Sequence, residues 1–420
     1  MNVLVIGGGG REHALVDRLA ACPSVEQVIC APGNAGTAGL AENVDIGVDD
    51  QAALADLALE RRVDLTVVGP EGPLCAGIVD RFESAGLRIF GPTARAARIE
   101  GDKAYAKTLM SRCMIPTAKS RTFSDYEGAK AYVASRDSAQ VVKAAGLASG
   151  KGVVVCDEPA QAILALEDMM VQGRFGQAGQ QVVVEEKLAG TELSIFALVD
   201  GRTLYVLESA QDYKRIGDGD VGANTGGMGA LSPSPRATAE VYGQVQRDIL
   251  VPIVDSLRSD GAAYRGLLYV GLMLTAGGPK VLEFNCRFGD PETQAVLMRL
   301  EGDLAEALRA TVDGQLDRIE LGWDPRPAVC VVMTSAGYPG AYEKGKVIHG
   351  LVEAAAIPDV KVFQAGTAQL EDLTVTNGGR VLGVTALGDT VSAAAAAAYR
   401  AVECIRFDGA HYRKDIAASV

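Results

Sequence analysis

The chain has 420 residues, a net charge of −13 and 5% aromatic residues. That length exceeds one ordinary core, so several domains are expected, and the acidity argues against non-specific binding to nucleic acid or to anionic membrane. Eight cysteines show no CxxC or CxxH spacing and no apolar run approaches a membrane span, so structural zinc, a disulfide framework and a transmembrane helix are all unsupported.

The first strand-like run starts at Val3, which leaves no room for a signal peptide, and reduced thiols point to a cytoplasmic protein. Val3–Ile6, Gly7–Gly10 and the following Arg-Glu-His-Ala-Leu read as strand, glycine turn and helix. Further strands near 27–30, 65–68 and 88–90 end in Gly- and Pro-rich loops, with amphipathic helices between them. This pattern predicts a parallel βαβ domain over about residues 1–100. It is not a dinucleotide site: counting from Gly7, the last glycine of G-x-G-x-x-G falls on Glu12, and the second strand ends without an acid. The loop could still take a phosphate on backbone N–H groups at the helix start. His13 reads more simply as a packed or solvated histidine than as a catalytic one.

A helix with Asp102 as N-cap places Lys103 in its first turn. Gln140–Lys143 and Val153–Cys156 read as strands joined by a Gly-rich loop. A Walker A loop joins strand to helix and ends GK[ST], whereas Lys151 is followed by Gly152, so a P-loop is excluded. The pattern predicts a hairpin flap, with Lys143 on the strand and Lys151 in the mobile part. Gln180–Glu186 is a β-branched strand ending in two acids before the linker Lys187–Gly190, and a strand broken in this way can present its backbone to an adenine edge. Residues 212–229 mix charges of both signs with many glycines, the composition of a functional loop. Strands over 267–274 and from Val281 form a hairpin. On the second, Val281, Glu283 and Asn285 are expected to face one way and Leu282 and Phe284 the other. Glu283 and Asn285 then offer hard oxygen donors to magnesium or manganese, with Arg287 following; a polar strand end is the plainer alternative. From about Pro325 three strands and an Ala-rich helix make a last unit.

This order of parts resembles the ATP-grasp superfamily, and within it the glycinamide ribonucleotide synthetase (phosphoribosylamine–glycine ligase) family. The carrying stretches are Val5–Leu15, Ala31–Thr37, Val68–Glu71, Gly150–Gly152, Asn224–Gly229, Glu283–Thr293, Gly337–Gly340 and Thr376–Val381. The resemblance implies an α/β and α+β multidomain chain. Residues 1–101 would be a substrate-binding parallel domain, and 102–119 with 187–320 an ATP-grasp core. Residues 120–186 would be a lid containing the hairpin, and 321–420 a small mixed α/β domain.

The implied reaction joins glycine to 5-phosphoribosylamine with ATP, through glycyl phosphate, in purine synthesis. Glu283 and Asn285 would hold the magnesium or manganese ion. Lys103, Lys143, Gly150, Lys151 and Gly152 would serve the ATP phosphates, Glu185, Glu186, Lys187 and Leu188 the adenine edge, and Glu192 the ribose. Arg287 would stabilise the transferring phosphoryl group. Asp212, Asp290 or Glu292 would accept the amine proton. Asp212, Asn224, Thr225, Gly226, Gly227, Asp290 and Glu292 would shape the glycine and amine pocket, and Gly8, Gly9, Gly10, Gly33 and Asn34 would receive the ribose phosphate, with Lys214 and Arg215 helping to neutralise the anion. A cytoplasmic monomer acting on small molecules is expected, with no nucleic-acid or membrane partner. Three positions depart from the family pattern: Ala145 replaces the flap acid, Tyr213 the histidine after Gln-Asp, and Gln364 a histidine before Ala-Gly-Thr.

Overall fold

The computed structural model describes residues 1–148 and 151–418. Strands β1 (Asn2–Gly7), β2 (Gln27–Pro32), β3 (Glu42–Asn43), β4 (Leu65–Val68) and β5 (Ile89–Phe90) form a parallel sheet in the order β3-β2-β1-β4-β5. Val3–Ile6 is buried throughout, as a strand covered on both faces by helices must be. The glycine loops lie at the carboxyl ends of β1 and β2 and touch each other. A Cβ on Gly8 would stand 2.5 Å from the Gly33 carbonyl oxygen, so only glycine permits this approach.

The lid is a second sheet. Strands β6 (Ser120–Phe123), β7 (Gln140–Ala144), β8 (Val153–Cys156) and β9 (Val182–Glu186) run antiparallel in the order β6-β9-β7-β8. The expected hairpin is β7–β8. Helices Tyr126–Ala134 and Pro159–Leu166 cover the sheet through Val133, Val142, Leu166 and Val184.

Beyond the lid come β10 (Thr191–Asp200), β11 (Leu204–Val206), β12 (Gln211–Asp212), β13 (Arg215–Gly217), β14 (Val221–Asn224), β15 (Gly229–Ser232), β16 (Arg265–Thr275) and β17 (Gly278–Asn285). The central antiparallel sheet is β11-β10-β16-β17. The stretch 212–229, expected as a loop, contains its own small hairpin, β13–β14. Its two ends extend beyond the central sheet. Strands β12 and β15 join the C-terminal sheet in the order β12, β15, Ala328–Thr334, Arg380–Leu387, Val360–Gln364. Two strands from within residues 187–320 thus extend the C-terminal sheet. Gly229–Ser232 is buried throughout, and its backbone finds hydrogen bonds along Ala328–Thr334.

The alternation expected on β17 fails at one residue. Leu272 pairs with Val281 and Gly271 with Glu283, so Leu282 is an extra residue in the register. This bulge moves Val281 to the core side with Phe284, and both are buried in the apolar cluster, while Leu282 is only partly buried.

The first glycine loop region meets the C-terminal sheet at His13. Its Nδ1 accepts a hydrogen bond from the Gln364 backbone N–H at 2.7 Å, and its ring stands edge-on to Phe363 at 5.7 Å. Burial pulls the imidazole from its ordinary 6.5 down to about 4, against the raising effect of Asp17. The folded chain therefore binds fewer protons here than the unfolded chain between those two values. Stability is fully present above pH 6.5 and falls as pH drops toward 4, by about 2 kcal/mol at pH 5. Urea unfolding at pH 7 and pH 5 should show this loss, and His13→Gln should lose correspondingly less. Equal pH slopes for the two proteins would refute a buried neutral His13.

Candidate active site

The bulged strand sets the geometry of the site. With Val281 and Phe284 in the core, Glu283 keeps a side chain 33% exposed, and Asn285 lies beside Arg287, whose Nη2 is 3.4 Å from the amide oxygen. The bulged Leu282 carbonyl accepts a hydrogen bond from Lys143 Nζ at 3.1 Å. Burial pushes the Glu283 carboxyl up, but Lys214, Lys143, Lys103 and Arg287 together outweigh it and hold it below its ordinary value. Glu283 is thus charged and, with the Asn285 oxygen, is a hard donor pair. Among the described residues no group of three or more His, Cys, Asp or Glu could hold a metal. Glu283 and Asn285 are the residues of this strand that could hold a hard divalent cation.

The lysines of the flap and the nearby helix are organised by one buried carboxylate. Glu185 stands 3.0 Å from both Lys143 Nζ and Lys107 Nζ, and all three side chains are buried. The Glu185 side chain is thus enclosed between two ammonium groups, which leaves only its backbone for the expected adenine edge. Lys107 was not anticipated, although it follows Lys103 by four residues on one helix face, which is the signal that could have found it. Lys103 Nζ donates to the Gly146 carbonyl at 3.2 Å, and its own backbone N–H donates to the Ala145 carbonyl at 2.8 Å. Ala145 N–H in turn donates to Gln181 at 2.9 Å. The flap root is held by backbone bonds at the position where the family acid is missing. Gly150 lies outside the described residues; Lys151 is exposed, and Gly152 accepts the Ala144 N–H at 2.8 Å.

On the adenine side, Glu186 accepts the Lys119 N–H at 3.0 Å, and Lys187 pairs with Asp157 at 2.7 Å. The Lys187 N–H is donated to Ala139, whereas the Glu186 carbonyl and the Leu188 N–H are backbone groups the linker can present to a base.

A surplus of carboxylates surrounds Lys214. Its ammonium is 3.2 Å from Glu192, 3.8 Å from Glu283 and 4.0 Å from Asp212. Burial would lower the Lys214 ammonium, but Asp212, Glu192 and Glu283 overcome it and raise it well above its ordinary value. The reverse holds at Asp212. Burial raises its carboxyl, Glu292, Glu192 and Glu283 add to the effect, and one ammonium is too little to offset them. Glu292 lies beneath, accepting the Tyr269 hydroxyl at 2.6 Å, with Ser194 Oγ 2.9 Å from the same hydroxyl.

Arg287 is fixed by two acids the sequence reading left without a role, Glu71 at 3.1 Å and Glu100 at 3.2 Å. Burial would raise Glu71, yet Arg287 and Arg11 bring it down to about 2. Asp290 is paired with Arg380 at 3.1 Å and accepts Gln294 Nε2 at 2.9 Å. Burial pushes its carboxyl up, but Arg380 and Arg11 outweigh this and hold it below the usual range.

Several expected substrate ligands are already committed within the protein. The Asn34 amide nitrogen donates to Gly8 and Gln364 carbonyls, its amide oxygen accepts from Gly36 and Thr37, and its N–H goes to Thr37 Oγ1. Gly33 N–H donates to Gly7, and Gly9 N–H to the Glu12 carboxylate at 2.6 Å. The Thr225 hydroxyl donates to Lys214 and accepts from Gly227. Gly226 N–H donates to the Tyr338 hydroxyl, while Asn224 pairs with Arg215 across the small hairpin. Gly227 has φ +116°, and a Cβ there would meet Pro291 at 2.3 Å. These residues hold the site's loops in place, so on these geometries only Gly8 and Gly10 remain of the expected phosphate cradle.

The lid hairpin, the lysine-flanked cleft and the oxygen-donor strand together define an ATP-grasp fold. Comparison with known proteins agrees. Residues 1–100, 101–293 and 328–419 match the N, ATP-grasp (A) and C domains of phosphoribosylglycinamide synthetase. The chain is 52% identical to phosphoribosylamine–glycine ligase of Pseudomonas aeruginosa over 99% of its own length and 97% of the relative's. It is 48% identical to that of Caldanaerobacter subterraneus over 100% of both. The crystal structure of the Thermotoga maritima phosphoribosylamine–glycine ligase superposes with a TM-score of 0.83 at 34% identity, covering 99% of this chain and 100% of that one. A biotin carboxylase domain from Hydrogenobacter thermophilus, solved with MgADP, shares the fold at TM-score 0.75 and 17% identity, covering 98% of this chain and 91% of that one.

The fold and site are those of an ATP-grasp ligase, an enzyme class that uses ATP and a divalent metal. The chain belongs to the phosphoribosylamine–glycine ligase (phosphoribosylglycinamide synthetase) family of purine biosynthesis.

Glu283→Gln keeps size and polarity but removes the negative charge. Calorimetric titration should show metal–ATP affinity lowered by at least roughly tenfold, with the thermal midpoint nearly unchanged. Wild-type affinity in that variant would remove Glu283 from the metal site.

Proposed function

We propose that the chain joins glycine to 5-phosphoribosylamine through an acyl phosphate, giving glycinamide ribonucleotide, ADP and phosphate. The observation that carries this reading is the carboxylate surplus around Lys214, set directly against the phosphate-side lysines. A site with more acids than cations takes up positive charge, here the glycine ammonium group and the metal held by Glu283 and Asn285. Magnesium or manganese would supply charge neutralisation to the ATP phosphates when bound. Lys103 and Lys143 hold those phosphates, and the flap carrying Lys151 closes over them. The Glu186 carbonyl and Leu188 N–H take the adenine edge, and Glu192 a ribose hydroxyl.

The glycine carboxylate is a poor electrophile until one oxygen bears a leaving group. It attacks the γ-phosphorus, ADP departs, and glycyl phosphate forms with no protein nucleophile. Arg287, held at a fixed angle by Glu71 and Glu100, faces the charge that develops on the transferring group and then on the tetrahedral oxyanion. The phosphoribosylamine nitrogen attacks the carbonyl carbon, inorganic phosphate leaves, and the nitrogen gives up one proton. Asp212 is the acceptor that the geometry favours. Asp290 is tied to Arg380 and Gln294, and Glu292 to Tyr269, whereas Asp212 stands 4.0 Å from Lys214, its carboxyl raised by burial and by Glu292, Glu192 and Glu283. The ribose phosphate of the second substrate lies at the Gly8–Gly10 turn, on the positive end of helix Gly10–Ala20. The enzyme acts as a cytoplasmic monomer. No helix among the described residues is long and apolar enough to cross a membrane.

A coupled assay for ADP release with ATP, glycine and freshly made phosphoribosylamine tests the reading. ADP should appear only with all three substrates, and Asp212→Asn should lower kcat by about a hundredfold. ADP release that ignores glycine would overturn the assigned reaction, and wild-type kcat in the variant would exclude Asp212 as the acceptor.

A further inference from the structure

The last segment of the chain lies far in sequence from the substrate loop, yet the two are bonded along their length. Arg413 is 2% exposed, among the most deeply buried large side chains of the protein, although the chemistry above gives it no part. Its guanidinium is paired bidentately with Asp415 at 2.8 Å. It also donates to the Arg215 carbonyl at 3.2 Å and to Asp220 at 3.1 Å, and its Cζ lies 5.4 Å from the centre of the Tyr213 ring. Three more bonds run alongside. Gly219 N–H donates to Asp415, Lys414 N–H donates to Asp218, and His411 Nε2 lies 3.0 Å from the Ile216 carbonyl oxygen. The segment is in turn held to the Ala-rich helix Val391–Cys404, where the Tyr399 hydroxyl donates to the Arg413 carbonyl and accepts the Ile416 N–H.

Arg413 thus grips the residues on either side of Lys214. In extended chain, neighbouring side chains point to opposite faces, so holding Tyr213 and Arg215 from behind directs Asp212 and Lys214 into the pocket. A desolvated cation over an aromatic face, with a bidentate carboxylate, resists displacement. Tyr213 supplies that aromatic face at the position where the family pattern has histidine.

We propose that Arg413 is a positioning residue for substrate recognition. Through Tyr213 and the Arg215 carbonyl it sets the place of Lys214 and Asp212, and so the affinity for glycine, without touching ATP. The proposal rests on the assignment of 212–227 to the glycine and amine pocket.

Steady-state kinetics of Arg413→Ala, Arg413→Lys and Asp220→Ala test it, with Asp212→Asn as the pocket control. Asp220 has a side chain 71% exposed, so its removal leaves the core intact. Arg413→Ala should raise the KM for glycine by about tenfold while kcat and the KM for ATP stay within roughly twofold. Arg413→Lys should recover part of the loss, and Asp220→Ala should shift the same constant less far in the same direction. A purely structural role would instead lower kcat through loss of active enzyme and leave KM alone. If Arg413→Ala does not fold, the other two variants decide. An unchanged glycine KM in Arg413→Lys and Asp220→Ala, with a raised one in Asp212→Asn, overturns the proposal. An unchanged glycine KM in Asp212→Asn overturns the pocket assignment and takes the proposal with it.

Discussion

The site depends on a charge imbalance that the protein does not correct by itself. Glu192, Asp212 and Glu283 surround one ammonium, that of Lys214, and Glu292 adds a fourth carboxylate beside them. Gathering these acids costs desolvation and mutual repulsion. On the function proposed above, ligand cations would relieve that cost, so the imbalance favours binding of an ammonium group and a metal. The phosphate side is built on the opposite principle. There a carboxylate, Glu185, is shared by two lysines, which keeps them ordered and close without neutralising the cleft.

Each of these charges comes from a different part of the chain, and the domains are joined so as to hold them together. The N-terminal domain contributes Glu71 to fix Arg287. The lid root contributes Lys143, anchored on the bulged carbonyl of the donor strand. The C-terminal sheet takes in β12 and β15, so the loop bearing Asp212 and Lys214 starts and finishes in that domain. His13 and Asn34 tie the N-terminal domain to the strand Val360–Gln364 of the same sheet. The C-terminal domain is therefore the frame against which the substrate loop and the first glycine loop are both set.

Much of the architecture was legible in local pattern. Strands of the first domain, the flap hairpin and the Glu283 strand follow from β-branched runs bounded by Gly and Pro, because burial on both faces demands apolar runs and turns demand those residues. The donor types at Glu283, Asn285 and Arg287 were also legible, because their chemistry is intrinsic to the side chains. What local pattern missed depends on which partner each group meets in the folded chain. Leu282 breaks the alternation because β16 sets the register. The Glu185 side chain turns to Lys107 and Lys143. Thr225 and Asn34 look like ligands by type, but their polar atoms are taken up by the backbone around them.

By itself the sequence determined the family, the reaction class and the residue types that meet at the cleft, since short motifs carry donor chemistry in fixed order. The tertiary structure decided which of those groups remain available. It assigned Asn34, Thr225 and Gly226 to holding loops, left Asp212 as the acid without a close hydrogen-bonded clamp, and set Arg413 behind Lys214. Several of those outcomes turn on distances of about 3 Å between residues more than a hundred positions apart, as in Asn34–Gln364, Gly226–Tyr338 and Arg413–Arg215, which hydrogen bonding and burial fix only once the chain has closed on itself.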